Sequence, residues 1–315
     1  MTIVKLGLLP WSQATDWPAY ADIAVRAEAL GYDSLWSWDH LYAIFGDPYQ
    51  PIFEAYTTLG AWAAMTERIS IGLMVSANTF RNPGLVAKSI ATVDHISGGR
   101  AICGLGGAWM ELEHSAHGID FGSGFGQRLD WLDESVGIIR ALLDGETVTH
   151  HGPRYHTEQL VHHPRPVQAH VPIMIGGTGE KKTLRTLAKY GDQWNAGGTV
   201  ETLTHKDAVL RRHCADVGRD PETIERTVNC KIVIRDTAEA ARRAWGEQMA
   251  ANRTPMEDVS DDVTWFVGTP EQVAETMAGY LTIGFRAFIS EHPAPYDIES
   301  IERLVTEVKP MVEAG

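Results

Sequence analysis

The residues best equipped for chemistry lie in short polar or glycine-rich stretches, each following an apolar run. Asp39-His40 follows Ser34–Ser37, and Ser76-Ala77-Asn78 follows Ile71–Val75. Gly104-Leu105-Gly106-Gly107-Ala108-Trp109 follows Ala101–Cys103, and Gly176-Gly177-Thr178-Gly179 follows Pro172–Ile175. Asp39 and His40 read as a proton-transfer pair, because imidazole titrates near neutral pH. Glycine turns let a ligand approach the backbone. Gly176–Gly179, read as opening a helix, would offer free N–H groups and a positive dipole end to a phosphate, with Lys181, Lys182 and Arg185 close behind. Each feature has a plainer rival: a buried histidine satisfied by backbone, a tight turn, solvated charges on a surface helix. Such stretches recur at the ends of successive apolar runs, and that recurrence favours a site.

Those stretches need elements that bring them together. Strands are expected at Ile3–Leu9, Ser34–Ser37, Ile71–Val75, Ala101–Cys103, Pro172–Ile175, Gln193–Ala196, Thr227–Ile234 and Phe285–Ser290. Helices alternate with them: Pro18–Leu30, Ala55–Thr66, one capped by Asn82-Pro83 and stopped at Gly98-Gly99, Leu129–Leu143, Lys181–Tyr190, Leu203–Val217, Ala238–Asn252, one opened by Thr269-Pro270-Glu271-Gln272, and Ile298–Val312. This alternation predicts an α/β fold, a (β/α)8 TIM barrel with insertions, as one domain over residues 1–315. Residues 145–171 read as an inserted hairpin followed by extended chain, and 253–268 as an irregular segment. A doubly wound open sheet would want GxGxxG after its first strand, where Leu9-Pro10-Trp11-Ser12 stands instead. In a barrel the site lies at the C-terminal strand ends, which adds Asn195–Gly198 and Glu291-His292 to the crown. Such a crown suits a large, flat, phosphate-bearing ligand.

Composition narrows the partners. A formal charge of −14 and a pI near 5.3 argue against nucleic-acid and anionic-membrane surfaces, which need basic patches. Cys103, Cys214 and Cys230 are an odd number with no CxxC, suggesting reduced thiols and a cytoplasmic setting. MTIVKLGLLPW lacks the pattern of a signal peptide, and no run reaches the length of a membrane span. His150, His151, His156, His162, His163 and His170 invite a metal reading, but neither HExxH nor a cysteine partner accompanies them, so no metal site is expected. There is no GxSxG.

With these residues in hand, the chain resembles the bacterial-luciferase-like family of flavin and deazaflavin oxidoreductases over almost its whole length. The matching motifs are Leu35–His40, Ser97–Arg100 through Gly104–Trp109 to Glu113, Gly118–Phe121, Ile175–Gly179 with Asp192–Asn195, and Val267–Glu271. Asp47–Pro51 and the helix after Gly179 look like the branch assigned to coenzyme F420, a deazaflavin. The resemblance implies hydride transfer between F420 and a small-molecule substrate, in an enzyme expected to be a homodimer. It implies Asp39 against the polar edge of the ring, His40 as acid or base, and a non-proline cis peptide near Val75-Ser76-Ala77, which supports one ring face. Ser76, Ala77, Asn78, Gly106, Gly107, Gly176, Gly177, Thr178 and Gly179 complete the expected cofactor site. Relatives that oxidise sugar phosphates carry a carboxylate about where Trp109 stands here. An FMN-dependent monooxygenase is the alternative, since an ordinary flavin can form a peroxide with oxygen where a deazaflavin transfers hydride. A flavin-binding protein without turnover is the third reading.

Overall fold

The computed structural model describes residues 3–253 and 265–314. Strands β1 (Lys5–Pro10) and β2 (Ser34–Ser37) flank α1 (Trp17–Leu30). The helix starts where the Asp16 side chain accepts from Ala19 N–H, and it stops at Gly31, whose φ is 90°. Helix α2 (Ala55–Met65) leads to β3 (Ser70–Leu73) and the short β4 (Ser76–Ala77). Then come α3 (Pro83–Ser97), capped by Asn82 as expected, and β5 (Ala101–Gly106). After α4 (Glu111–His117) and α5 (Phe125–Leu143), β6 (Val148–His151) and β7 (His156–Leu160) form the inserted antiparallel hairpin. Strand β8 (Ile173–Gly176), α6 (Thr183–Tyr190), β9 (Gln193–Ala196), α7 (Val200–Asp216), β10 (Glu225–Ile234) and α8 (Ala238–Ala251) follow. Last are β11 (Trp265–Gly268), α9 (Pro270–Leu281), β12 (Ala287–His292), α10 (Ile298–Arg303) and α11 (Lys309–Ala314).

Among the described residues, eight parallel strands close a barrel in the order β1-β2-β3-β5-β8-β9-β10-β12, with β12 returning to β1. Closure rules out the open sheet. The strands are apolar on both faces because each packs twice. Leu6, Leu8, Leu35, Ile71, Ile173 and Val228 lie in the layer beneath the helices, while Trp36, Ile102, Met174 and Ile289 fill the barrel interior. The capping box at Thr269–Gln272 is present with both of its hydrogen bonds.

Four expectations need correction. The run from Ala101 does not break at Gly104; it stays a strand through Gly106. Helix α5 begins at Phe125, four residues early, and α4 was not anticipated. Of the segment expected to be irregular, 254–264 lies outside the described residues, whereas Trp265–Gly268 pairs with β10 as a strand. The last helix is interrupted by a wider π turn at Leu304–Val308, just before Pro310, which has no N–H to donate. No helix among the described residues is long and apolar enough to cross a membrane.

Candidate active site

At the C-terminal ends of the barrel strands lies a cavity of about 430 Å³, bordered by the segment just after β2 and by residues from β4, β5, β8, β9, β10 and β12. A larger surface groove of about 740 Å³ lies between α5, the hairpin and α6. Most of its charges are paired, Lys182 with Asp130 at 2.7 Å, Asp133 with the neighbouring Lys189 at 2.7 Å, and His150 with Glu134 at 2.9 Å, and Arg185 stands open to solvent beside them. The barrel cavity instead leaves buried polar atoms unmatched, and that marks it as the site.

Its floor is shaped by Val75. The Met74–Val75 peptide is cis, and the chain bulges inward before re-pairing with β5 at Ser76 and Ala77. The bulge needs glycines around it. A Cβ on Gly104 would overlap the Leu73 carbonyl oxygen, one on Gly106 would come within 2.5 Å of the Val75 side chain, and one on Gly176 within 2.9 Å. The glycine-rich strand ends therefore serve first to seat Val75, and their flat surface then borders the cavity.

Asp39, 2% exposed, is held beside this bulge. Its Oδ2 accepts from the Ser76 hydroxyl at 2.7 Å, from Ala77 N–H at 3.2 Å and from Arg81 Nη1 at 2.7 Å. Tyr56 donates to Ser76 at 3.3 Å, and Glu54 takes the other Arg81 nitrogen at 2.7 Å. Burial works against the Arg81 charge, but Asp39 and its other anionic neighbours, Glu54 among them, together outweigh it and the Arg81 pKa is raised. Among the described residues, Oδ1 of Asp39 is buried with no hydrogen-bond partner. A buried acceptor left unmade costs about 1–3 kcal/mol, so this atom calls for a donor from a ligand.

His40 does not pair with Asp39. The chain turns after β2 so that Asp39 points to the Val75 side, while His40 faces α4. There Nδ1 lies 3.0 Å from Oε1 of Glu113, whose Oε2 accepts Leu41 N–H at 2.9 Å. Glu113 is 1% exposed, and the Trp109 ring meets the His40 ring edge-on at 5.4 Å. Nε2 of His40 has no partner among the described residues and is the ring nitrogen available to the cavity.

Of the residues anticipated from sequence, Asp39, His40, Ser76, Ala77, Gly106, Gly107, Gly176 and Gly177 border the cavity. Asn78, Thr178 and Gly179 do not. The Asn78 amide bridges the Gly106 carbonyl and Leu132 N–H, tying α5 to β5. Gly176–Gly179 does not open a helix, for α6 begins only at Thr183. Gly177 has no free N–H either, since it donates to the Asn195 carbonyl at 3.0 Å. The Asp47–Pro51 segment is an outer turn; of its loop, Ile44 and Phe45 reach the cavity. Among the described residues no group of three or more His, Cys, Asp or Glu side chains could hold a metal. Cys103 is buried, which pushes its thiol up to about 12.

Sequence reasoning missed Arg81, Asn229 and Lys231, and gave Glu113 no role. Asn229 and Lys231 did leave a signal, being polar residues two apart in an apolar strand and hence on one face.

A model of the luciferase-like monooxygenase family matches residues 6–287. The chain belongs to that family. As a luciferase-like oxidoreductase it is 30% identical to a protein from Microbacterium testaceum named F420-dependent glucose-6-phosphate dehydrogenase, over 91% of this chain and 90% of that one. It is 28% identical to a protein of the same name from Kineococcus radiotolerans, over 93% and 92%. In fold it matches an F420-dependent secondary alcohol dehydrogenase, seen with an F420–acetone adduct, with a TM-score of 0.83 and 20% identity over 98% and 99% of the two chains.

Proposed function

We propose that this chain moves a hydride between coenzyme F420 and a small organic substrate, with Asp39 and His40 in separate roles. The observation that carries the reading is the unpartnered, buried Oδ1 of Asp39 beside the Val75 bulge. That atom, with the flat glycine surface of Gly106, Gly107 and Gly176, fits a planar ring whose polar edge offers N–H donors. The naming of relatives that match nine-tenths of the chain supports F420 as that ring.

When bound, the deazaflavin supplies two-electron hydride chemistry and reacts poorly with oxygen. The protein's residues do the rest. Asp39 would accept from the polar edge of the ring, and it is itself fixed by Ser76, Ala77 and Arg81. Glu113, which as a carboxylate can only accept, keeps the His40 proton on Nδ1 and leaves Nε2 as the base. Nε2 takes a proton from a hydroxyl substrate as it is oxidised, or returns one in the reduction direction. Trp38, Ile44 and Phe45 line the cavity and keep water from the reacting atoms.

The assay is F420-dependent reduction of a panel of activated alkenes, imines and ketones, followed by oxidation of the reduced cofactor. Turnover with F420 and none with FMN is expected. Oxygen-consuming turnover with FMN alone would instead make the chain a monooxygenase.

A further inference from the structure

Across the barrel from β3 and its Val75 bulge stands β10, whose Asn229 and Lys231 face the cavity together with Glu291 of β12. Lys231 is 5% exposed. Its Nζ lies 4.7 Å from the Phe45 ring centroid and 5.5 Å from that of Trp11, contacts that hold an ammonium in place. Yet it makes no hydrogen bond among the described residues. Its one carboxylate neighbour is Oε2 of Glu291 at 3.9 Å, while the other Glu291 oxygen accepts from Asn229 at 3.1 Å. Donor and acceptor are both buried, both at the cavity wall, and too far apart to satisfy one another.

Among the described residues, the charges around the cavity have no positive excess. Formally, Asp39, Glu113 and Glu291 carry three negative charges against the two of Lys231 and Arg81, and Arg81 is taken up by Asp39 and Glu54. Arg128 is not on the wall, and it donates to the Phe121 carbonyl. Residues 254–264, outside the described part, contain no Lys or Arg. A phosphate or carboxylate brought into such a site would meet no surplus cation, and burying it would be costly.

We infer that the substrate is uncharged and carries a hydroxyl or carbonyl oxygen that fills the gap between Lys231 and Glu291: Lys231 donates to it, and a hydroxyl donates onward to Glu291. The inference rests on the hydride-transfer reading and narrows it, setting this chain apart from relatives named for a sugar phosphate. Lys231 is a specificity residue, and the walls beside it favour an apolar body.

The test is calorimetric titration of the F420-loaded protein with cyclohexanol, cyclohexanecarboxylate and glucose 6-phosphate. F420 binding is measured first on every variant, so that failure to load overturns the cofactor reading and not the charge rule. Cyclohexanol should bind at least about ten-fold tighter than either anion. Lys231→Met should weaken cyclohexanol by about ten-fold, the size of one hydrogen bond from a charged donor, with F420 affinity kept within about two-fold. Glu291→Gln should tighten cyclohexanecarboxylate by a similar factor, and it decides the matter if Lys231→Met does not fold. Tighter binding of either anion by the wild type, no cyclohexanol binding by the loaded protein, or an unchanged anion affinity in Glu291→Gln would overturn the inference.

Discussion

Nδ1 of His40 lies 3.0 Å from Oε1 of Glu113, and the same carboxylate takes the neighbouring Leu41 N–H at 2.9 Å. One buried side chain on α4 thus sets both the backbone after β2 and the orientation of the imidazole. Asp39 belongs to a different network, with Ser76 and Arg81. The two adjacent residues can therefore be altered separately.

For His40→Asn, turnover should fall by about 10²–10⁴-fold, the usual worth of a positioned acid–base group, with F420 affinity within a few-fold. Glu113→Gln should lower turnover by about ten-fold or more through the loss of ring orientation, again without a large change in F420 affinity. Steady-state kinetics with parallel cofactor titration checks both. A His40→Asn enzyme that keeps its rate but loses F420 would make His40 a binding residue.

The glycines around Val75 yield a stability prediction. Gly106→Ala brings a Cβ to 2.5 Å from the Val75 side chain and should destabilise the fold by about 1–3 kcal/mol. Val75→Ala in the same chain should recover much of that loss. Urea denaturation midpoints of the single and double variants measure it; additive losses would mean that the two residues do not oppose each other.

Much of this was legible in the chain. The eight strand runs, the caps at Asn82 and Thr269 and the inserted hairpin follow from periodicity and capping residues, which act locally. Asp39, His40 and the strand-end glycines were readable because barrel geometry gathers strand ends. What could not be read was pairing. Glu113 lies 73 residues from His40, and Arg81 lies 42 from Asp39, so only the closed barrel brings them together. Gly104 and Gly106 looked like turn residues because a glycine that clears room for a bulge on the next strand has the same letter as one that turns the chain.

His292 gives the fold a pH dependence away from the cavity. Burial pushes its pKa down to about 4, against a pull upward from Asp297, and neither ring nitrogen has a hydrogen-bond partner among the described residues. The unfolded chain binds its proton near pH 6.5, so the unfolded state holds more protons between about 6.5 and 4. Stability from this residue is therefore full above about pH 6.5 and declines as pH falls towards 4. Urea midpoints across that range should slope less for His292→Gln than for wild type. Parallel curves would show that His292 contributes nothing.

In the proposed reading, Oδ1 of Asp39 takes the polar edge of a deazaflavin ring. The direct measurement is fluorescence titration of the protein with oxidised F420 and, separately, with FMN, repeated on Asp39→Ala. F420 is expected to bind at least about ten-fold tighter than FMN, and Asp39→Ala to lose most of that affinity. Tighter binding of FMN, or an Asp39→Ala protein that holds F420 as well as wild type, would contradict it.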